Sequence, residues 1–254
     1  MNEIDKNIIS GNFSRCIPDY NAHAHVQKIM AQKLETLIFD NFNFKTDGIL
    51  EAGCGTGFLT EILLKRKKKN ITAVDIADCF TCMKELSTAY NTEINFVRND
   101  IEEFMKATRD TYSAFFSNAA FQWMHDMPSL LLNFSAHLTT NGMLAFSTFG
   151  PDNLFQVRNL TKIGLHYMSK GEIAELLCDN YKIIHISEET QTIYFDTPFE
   201  VLKHFKETGT NYAKEKIMSK SEIEKFVYDY EAAFSENDKF PLTYNPMYFV
   251  AEKK

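Results

Sequence analysis

The chain has 254 residues, 44% of them hydrophobic and 24% charged, enough to bury a sizeable core and close to the make-up of an ordinary soluble protein. A formal net charge of −7 argues against a general affinity for nucleic acid or anionic lipid, so any acidic partner needs a local basic patch. Five thinly spread cysteines, no run approaching ~18 apolar residues and a start, "MNEIDKNIIS", without a basic-then-apolar signal together predict a reduced, cytoplasmic protein with no membrane association.

Apolar residues at Ala22, Val26, Ile29, Met30, Leu34, Leu37 and Ile38 fall at helical spacing and predict a first helix over 21–39. "GILEAG" at 48–53 is a short apolar strand, a glycine-rich loop follows, and a helical pattern resumes at Phe58. "ITAVDI" at 71–76 is a β-branched run ending in an acid, 79–90 is helical, and "INFVRND" at 94–100 repeats the strand-then-acid pattern. "YSAFFSN" at 112–118 predicts a fourth strand, "SLLLNFSAHL" at 129–138 a helix, and "GMLAFSTF" at 142–149 a fifth strand entered through the turn "TTNG". This alternation implies an α/β fold, a mostly parallel sheet with helices on both faces.

After Gly150 the rhythm changes. "SKGEIAELLCDN" from Ser169 carries an N-cap serine and a helical pattern, "YKIIHISEETQTIYF" at 181–195 reads as one or two strands, 198–235 is helical, and "LTYNPMYFVAEK" is a last strand. Cys79 and Cys82 have the C-x-x-C spacing without a second pair to complete a zinc site, and the seven histidines form no cluster at metal spacing. No metal is therefore expected.

The loop "EAGCGTGF" leaves the carboxyl end of the first strand, where open α/β sheets bind ligands. Gly53, Gly55 and Gly57 let a ligand lie directly on the main chain, but the spacing is G-x-G-x-G, and Phe58 occupies the position where a dinucleotide fingerprint has its last glycine. Glu51 would repel a diphosphate and suits a cation. S-adenosylmethionine, with a sulfonium and no phosphate, fits both features. Asp75 at the second strand tip is placed to accept the ribose hydroxyls, with Ile76 beside it; Asp100 at the third is placed to meet the adenine amino group, with Ile101 against the ring. Cys54 within the loop and Asn118 and Ala119 after the fourth strand complete the expected cofactor site.

With those residues in place, the chain resembles the seven-stranded class I S-adenosylmethionine-dependent methyltransferases. Within them it is similar to the malonyl-[acyl-carrier protein] O-methyltransferases of biotin synthesis: "SNAAFQWMHD" at 117–126, "FSTFGPDNL" at 146–154 and "FEVLKHFKETGTN" at 199–211 resemble that family's later motifs, and "NFSRCIPDYNAHAHVQKIMAQKL" its opening. The resemblance implies a Rossmann-like sheet with an antiparallel last strand in one methyltransferase domain over 1–254: an N-terminal helical cap (1–46), a cofactor-binding core (47–150) and a helical insertion roofing the substrate site (198–235).

It also implies transfer of a methyl group to the free carboxylate of malonyl-acyl carrier protein or malonyl-coenzyme A. A carboxylate is ionised at neutral pH, so no residue is assigned as a general base. Tyr20, Gln122, Trp123, Ser147, Phe149, Arg158 and Tyr167 are the candidates for orienting it, with Arg158 the charged one. An acyl carrier protein is acidic, which makes "KRKKK" at 65–69 and lysines 203, 206, 214, 216 and 220 candidates for docking it. Two other readings share the same cofactor loop: a methyltransferase for a small polycarboxylate such as trans-aconitate, whose site should hold several cations, and a cofactor-binding protein without turnover.

Overall fold

The computed structural model describes residues 5–41, 48–209 and 218–254. Two helices, α1 (Lys6–His23) and α2 (His25–Asn41), precede the first strand, β1 (Ile49–Ala52). Then α3 (Phe58–Lys65), β2 (Ile71–Asp75), α4 (Phe80–Tyr90), β3 (Ile94–Arg98), α5 (Ile101–Ala107), β4 (Tyr112–Asn118), α6 (Met127–His137) and β5 (Leu138–Phe149) follow in alternation. Past β5 come α7 (Phe155–Thr161), α8 (Lys170–Cys178), β6 (Tyr181–Glu188), β7 (Gln191–Phe195), α9 (Pro198–Glu207), α10 (Lys220–Phe234), β8 (Phe240–Tyr244) and β9 (Pro246–Lys253).

Seven strands form one sheet in the order β3-β2-β1-β4-β5-β9-β6, and β9 runs antiparallel to both of its neighbours. This is the class I methyltransferase sheet expected from the sequence. Alternation along the strands divides the core in two. Ile49, Ala114, Phe116, Met143 and Ala145 pack with Met30, Leu34 and Ile38 of α2 and Leu63 of α3. Their neighbours Leu50, Phe115, Leu144 and Phe146 pack on the opposite face with Leu130, Leu131 and Phe134 of α6 and Ile173 and Leu177 of α8. On that face Phe115 stacks on Phe134 at 4.5 Å and Phe146 on Phe249 at 4.9 Å between ring centroids.

Three elements differ from the sequence reading, and a fourth, read as one or two strands, is two. The helix expected from residue 21 is preceded by another, α1, which the periodicity hid: it contains Gly11 and Pro18, and none of its residues is fully buried. "YKIIHISEETQTIYF" splits between two sheets, β6 joining the large one and β7 pairing with β8. The segment expected as one last strand divides at Asn245, whose amide nitrogen donates to Glu188 Oε1 (3.2 Å) and the Glu189 carbonyl (2.9 Å) and turns the chain between sheets. "TTNG" belongs to β5 rather than to a turn before it. In the 198–235 segment, α9 and α10 each open with a capping box, at Thr197/Glu200 and Ser219/Glu222; Thr210, Asn211, Lys214 and Lys216 lie outside the described residues.

Candidate active site

Parallel strands end on one edge of a sheet, and the tips of β1, β2, β3 and β4 here surround a cavity that opens to solvent. Gly53 opens it. Its φ is +71°, and a Cβ there would stand 2.4 Å from the Cβ of Ala120, so a side chain is excluded on both counts. Gly55 also has positive φ, with open space where its Cβ would be, and its N–H donates to Asp75 Oδ2 at 2.7 Å. Gly57 caps α3 and does not line the cavity.

Asp75 accepts a second main-chain bond, from the Ala77 N–H to Oδ1 at 2.8 Å. Burial raises its carboxyl above the ordinary value, against the pull of these N–H groups. Each oxygen keeps lone-pair capacity for a ligand hydroxyl. Asp100, the N-cap of α5, accepts from the Glu102 N–H at 3.0 Å and from Lys6 Nζ at 2.5 Å. Ile76 and Ile101 lie on the same cavity wall.

A smaller chamber shares Tyr20, Gly53, Gly55, Thr56 and Asn118 with the larger one and is otherwise walled by Gln27, Glu51, Cys54, Phe58 and Leu59. Glu51, 1% exposed, accepts from Thr60 Oγ1 at 2.7 Å. Burial pushes its carboxyl up to about 8, with the Thr60 bond opposing and Asp75 adding to the rise. A cation in this chamber would relieve that cost. Burial and the nearby Asp75 also push the Tyr20 phenol up, which keeps it a neutral donor. The donor set fits a ligand with a ribose, an adenine and a cationic tail; among the described residues no group of three His, Cys, Asp or Glu side chains could hold a metal.

Tyr20, Glu51, Gly53, Cys54, Gly55, Asp75, Ile76, Asp100, Ile101, Asn118, Ala119 and Trp123 thus meet around the two chambers. Gln122, Ser147, Phe149, Arg158 and Tyr167 do not line them. Ser147 and Gln122 brace residues that do: Ser147 Oγ donates to Asn118 Oδ1 (2.7 Å) and accepts from the Ala119 N–H (3.1 Å), and Gln122 Nε2 donates to the Ala119 carbonyl (2.6 Å). These bonds hold Ala119 at a φ of +52°. Arg158 is committed elsewhere. Its Nη1 donates to the carbonyls of Pro151 (2.6 Å) and Asn153 (3.1 Å), and its guanidinium lies 5.1 Å from the Tyr167 ring. Asn153 donates to the Tyr167 hydroxyl, and Phe149 packs against Tyr244.

Sequence reasoning gave an N-terminal helical cap with Tyr20 in the site, but not the other cavity residues of α1. Lys6, Ile9, Phe13 and Ile17 line the large cavity, and Phe13 meets Trp123 edge-on at 5.7 Å. The signal was there as an i, i+4, i+8 apolar stripe from Ile9, but the stripe lines the cavity as well as packing Phe13 and Ile17 on the core.

Residues 49–142 match the family described as Methyltransferase domain. The chain is 34% identical to the malonyl-[acyl-carrier protein] O-methyltransferase of Calditerrivibrio nitroreducens over 95% of each protein. It is 32% identical to the protein of the same name from Haemophilus influenzae, over 99% of this chain and 96% of that one. Among solved structures, the 1,6-didemethyltoxoflavin-N1-methyltransferase of Burkholderia thailandensis, determined with S-adenosylhomocysteine, has a TM-score of 0.57 at 15% identity, over 98% of this chain and 88% of that one. The last likeness is one of fold, whereas the first two extend over 95% and 99% of this chain, and the chain belongs to the malonyl-[acyl-carrier protein] O-methyltransferase family.

Proposed function

We propose that the chain methylates the free carboxylate of a malonyl group carried by acyl carrier protein, using S-adenosylmethionine. The observation that carries the substrate is the similarity, over nearly the whole length, to enzymes named for that substrate. When bound, S-adenosylmethionine supplies an electrophilic methyl group on a cationic sulfur.

The residues of the chain then have three tasks. Asp75 and Asp100 hold the nucleoside by accepting its hydroxyl and amino protons, and Glu51 balances positive charge at the other end. Tyr20 and Asn118, on the wall shared by both chambers, stand where the acceptor carboxylate would be oriented by hydrogen bonds. Phe13, Ile17 and Trp123 exclude water, which favours a reaction in which opposite charges cancel. No proton changes place, because the acceptor is already a carboxylate at neutral pH. Alignment alone can contribute about 7–11 kcal/mol.

For the carrier, α9 is the proposed docking element. It touches α1 through the Cys16 thiol on the Lys206 carbonyl (3.0 Å) and exposes the Lys206 side chain, while Lys203 pairs with Glu207. At "KRKKK", Lys65 and Arg66 are paired with Glu61 and Glu35, as Lys203 is with Glu207. The reading is tested by methyl transfer from labelled cofactor to malonyl-acyl carrier protein, malonyl-coenzyme A and trans-aconitate side by side, with product masses. Preferential labelling of the malonyl carrier is expected; label on trans-aconitate alone would contradict the reading.

A further inference from the structure

α1 packs Phe13 and Ile17 on the cluster of Cys54, Ala73, Ala77, Cys79 and Met83, and polar bonds tie it down along its length. Lys6 pairs with Asp100 and Glu102, Ser10 Oγ donates to the Ile76 carbonyl at 2.9 Å, and Asn21 Oδ1 accepts from Thr56 Oγ1 at 2.5 Å. The receiving groups follow β3, β2 and β1 in turn, so the helix crosses three strand tips. Ile9, Phe13, Ile17 and Tyr20 on its inner face wall the large cavity. A cofactor lying on those tips is covered by α1.

Among these ties Lys6 carries the charge. Its partners join two other parts of the site. Asp100 is the residue placed for the adenine, and Glu102 also accepts the N–H groups of His125 (3.1 Å) and Asp126 (2.8 Å), fixing the segment that presents Trp123 and Met124 to the cavity. Side-chain exposures of 17% for Lys6, 19% for Asp100 and 11% for Glu102 shield the triad from the solvent screening that weakens surface pairs. Although burial works the other way, the Lys6 ammonium and the two N–H groups bring the Glu102 carboxyl below its ordinary range.

We propose that Lys6 is a positioning residue that latches α1 over the cofactor cavity through Asp100 and Glu102, and so sets how tightly and how long the cofactor is held. The inference rests on the cofactor site assigned above. The latch organises the adenine end, so its first effect is on cofactor binding.

The full chain is titrated with S-adenosylhomocysteine by calorimetry, its release is timed by stopped flow, and cleavage after Arg15 by an arginine-specific protease reports whether α1 is seated. Lys6→Met, which keeps the aliphatic stem, is expected to bind about 10-fold more weakly, chiefly through faster release. KM for the cofactor rises with it by a larger factor than any fall in kcat. Lys6→Arg restores affinity to within about 3-fold. S-adenosylhomocysteine protects Arg15 in the wild type and in Lys6→Arg, and much less in Lys6→Met. Unchanged affinity and release in Lys6→Met would overturn the proposal, as would equal losses in the Met and Arg variants with a matching fall in melting temperature. Lys6→Gln repeats the test should Lys6→Met not fold. Failure of the wild type to bind S-adenosylhomocysteine would instead remove the cofactor site beneath the proposal.

Discussion

The two ends of the sheet edge use polar groups in opposite ways. At the tips of β1, β2 and β3, Asp75 and Asp100 take main-chain N–H groups and keep acceptor capacity turned to a cavity. Between residues 150 and 245 the polar groups close on one another. Gln156 and Thr243 exchange two buried bonds (2.8 and 3.1 Å), Asn153 donates to Tyr167, and His204 meets the Tyr244 hydroxyl at 2.7 Å. The first region is a receptor shaped by backbone geometry; the second is a self-satisfied wall, built to position what lies beside it. Removing a polar group from the first should cost binding, and from the second, stability.

The largest effect is expected at Asp75. In the proposed site, Asp75→Ala would remove two charge-assisted bonds to ligand hydroxyls, worth on the order of 4 kcal/mol together, or about 1000-fold in affinity. Calorimetry with S-adenosylhomocysteine measures it, and a melting temperature within a few degrees of wild type would sharpen the contrast. Near-normal affinity would break it.

His204 tests the other region. Burial pushes its imidazole down to about 4, so the neutral form is the one the fold accepts. Its folded value lies below the ordinary 6.5, so its contribution is complete above about 6.5 and is lost as pH falls toward about 4. A shift of this size corresponds to up to about 3 kcal/mol. Urea unfolding across this range should show an acid limb that His204→Gln flattens, with cofactor affinity at neutral pH little changed. An acid limb of full depth in His204→Gln would place the sensitivity elsewhere.

A smaller effect belongs to Glu51. In the free protein its raised value means that the bound proton stabilises the fold fully below the ordinary 4.5, a contribution lost as pH rises through about 8. Binding of a cationic ligand runs the other way. It needs the carboxylate, so affinity for S-adenosylmethionine should climb with pH toward about 8 and then level. Glu51→Gln is expected to flatten that rise and weaken binding about 10-fold above it. An identical pH profile in wild type and variant would separate Glu51 from the ligand's charge.

The same contrast explains what was legible in the sequence. Glu51, Gly53, Gly55, Asp75 and Asp100 could be read because a strand end, a tight turn and a helix cap each demand particular residue types at short, fixed spacing. The sheet followed from the alternation of strands and helices. Arg158 looked like a free cation near the fifth strand, yet three carbonyl and ring contacts within ten residues consume it, and local sequence does not show such competition. Pairings such as Gln156 with Thr243, 87 residues apart, are invisible to any local pattern. The cavity residues of α1 other than Tyr20 were hidden for a different reason: their apolar stripe has the period of a core helix but also lines a ligand cavity, and Gly11 and Pro18 interrupt it. The joined "LTYNPMYFVAEK" concealed a turn whose bonds come from Glu188 and Glu189 on another strand.

The most direct test of the account is a crystal structure of the chain with S-adenosylhomocysteine. Both ribose hydroxyls are expected on Asp75, the adenine beside Asp100 and Ile101 beneath α1, and the amino-acid tail in the chamber of Glu51, Tyr20 and Asn118. A nucleoside lodged away from Asp75, or a tail turned out of that chamber, would contradict it.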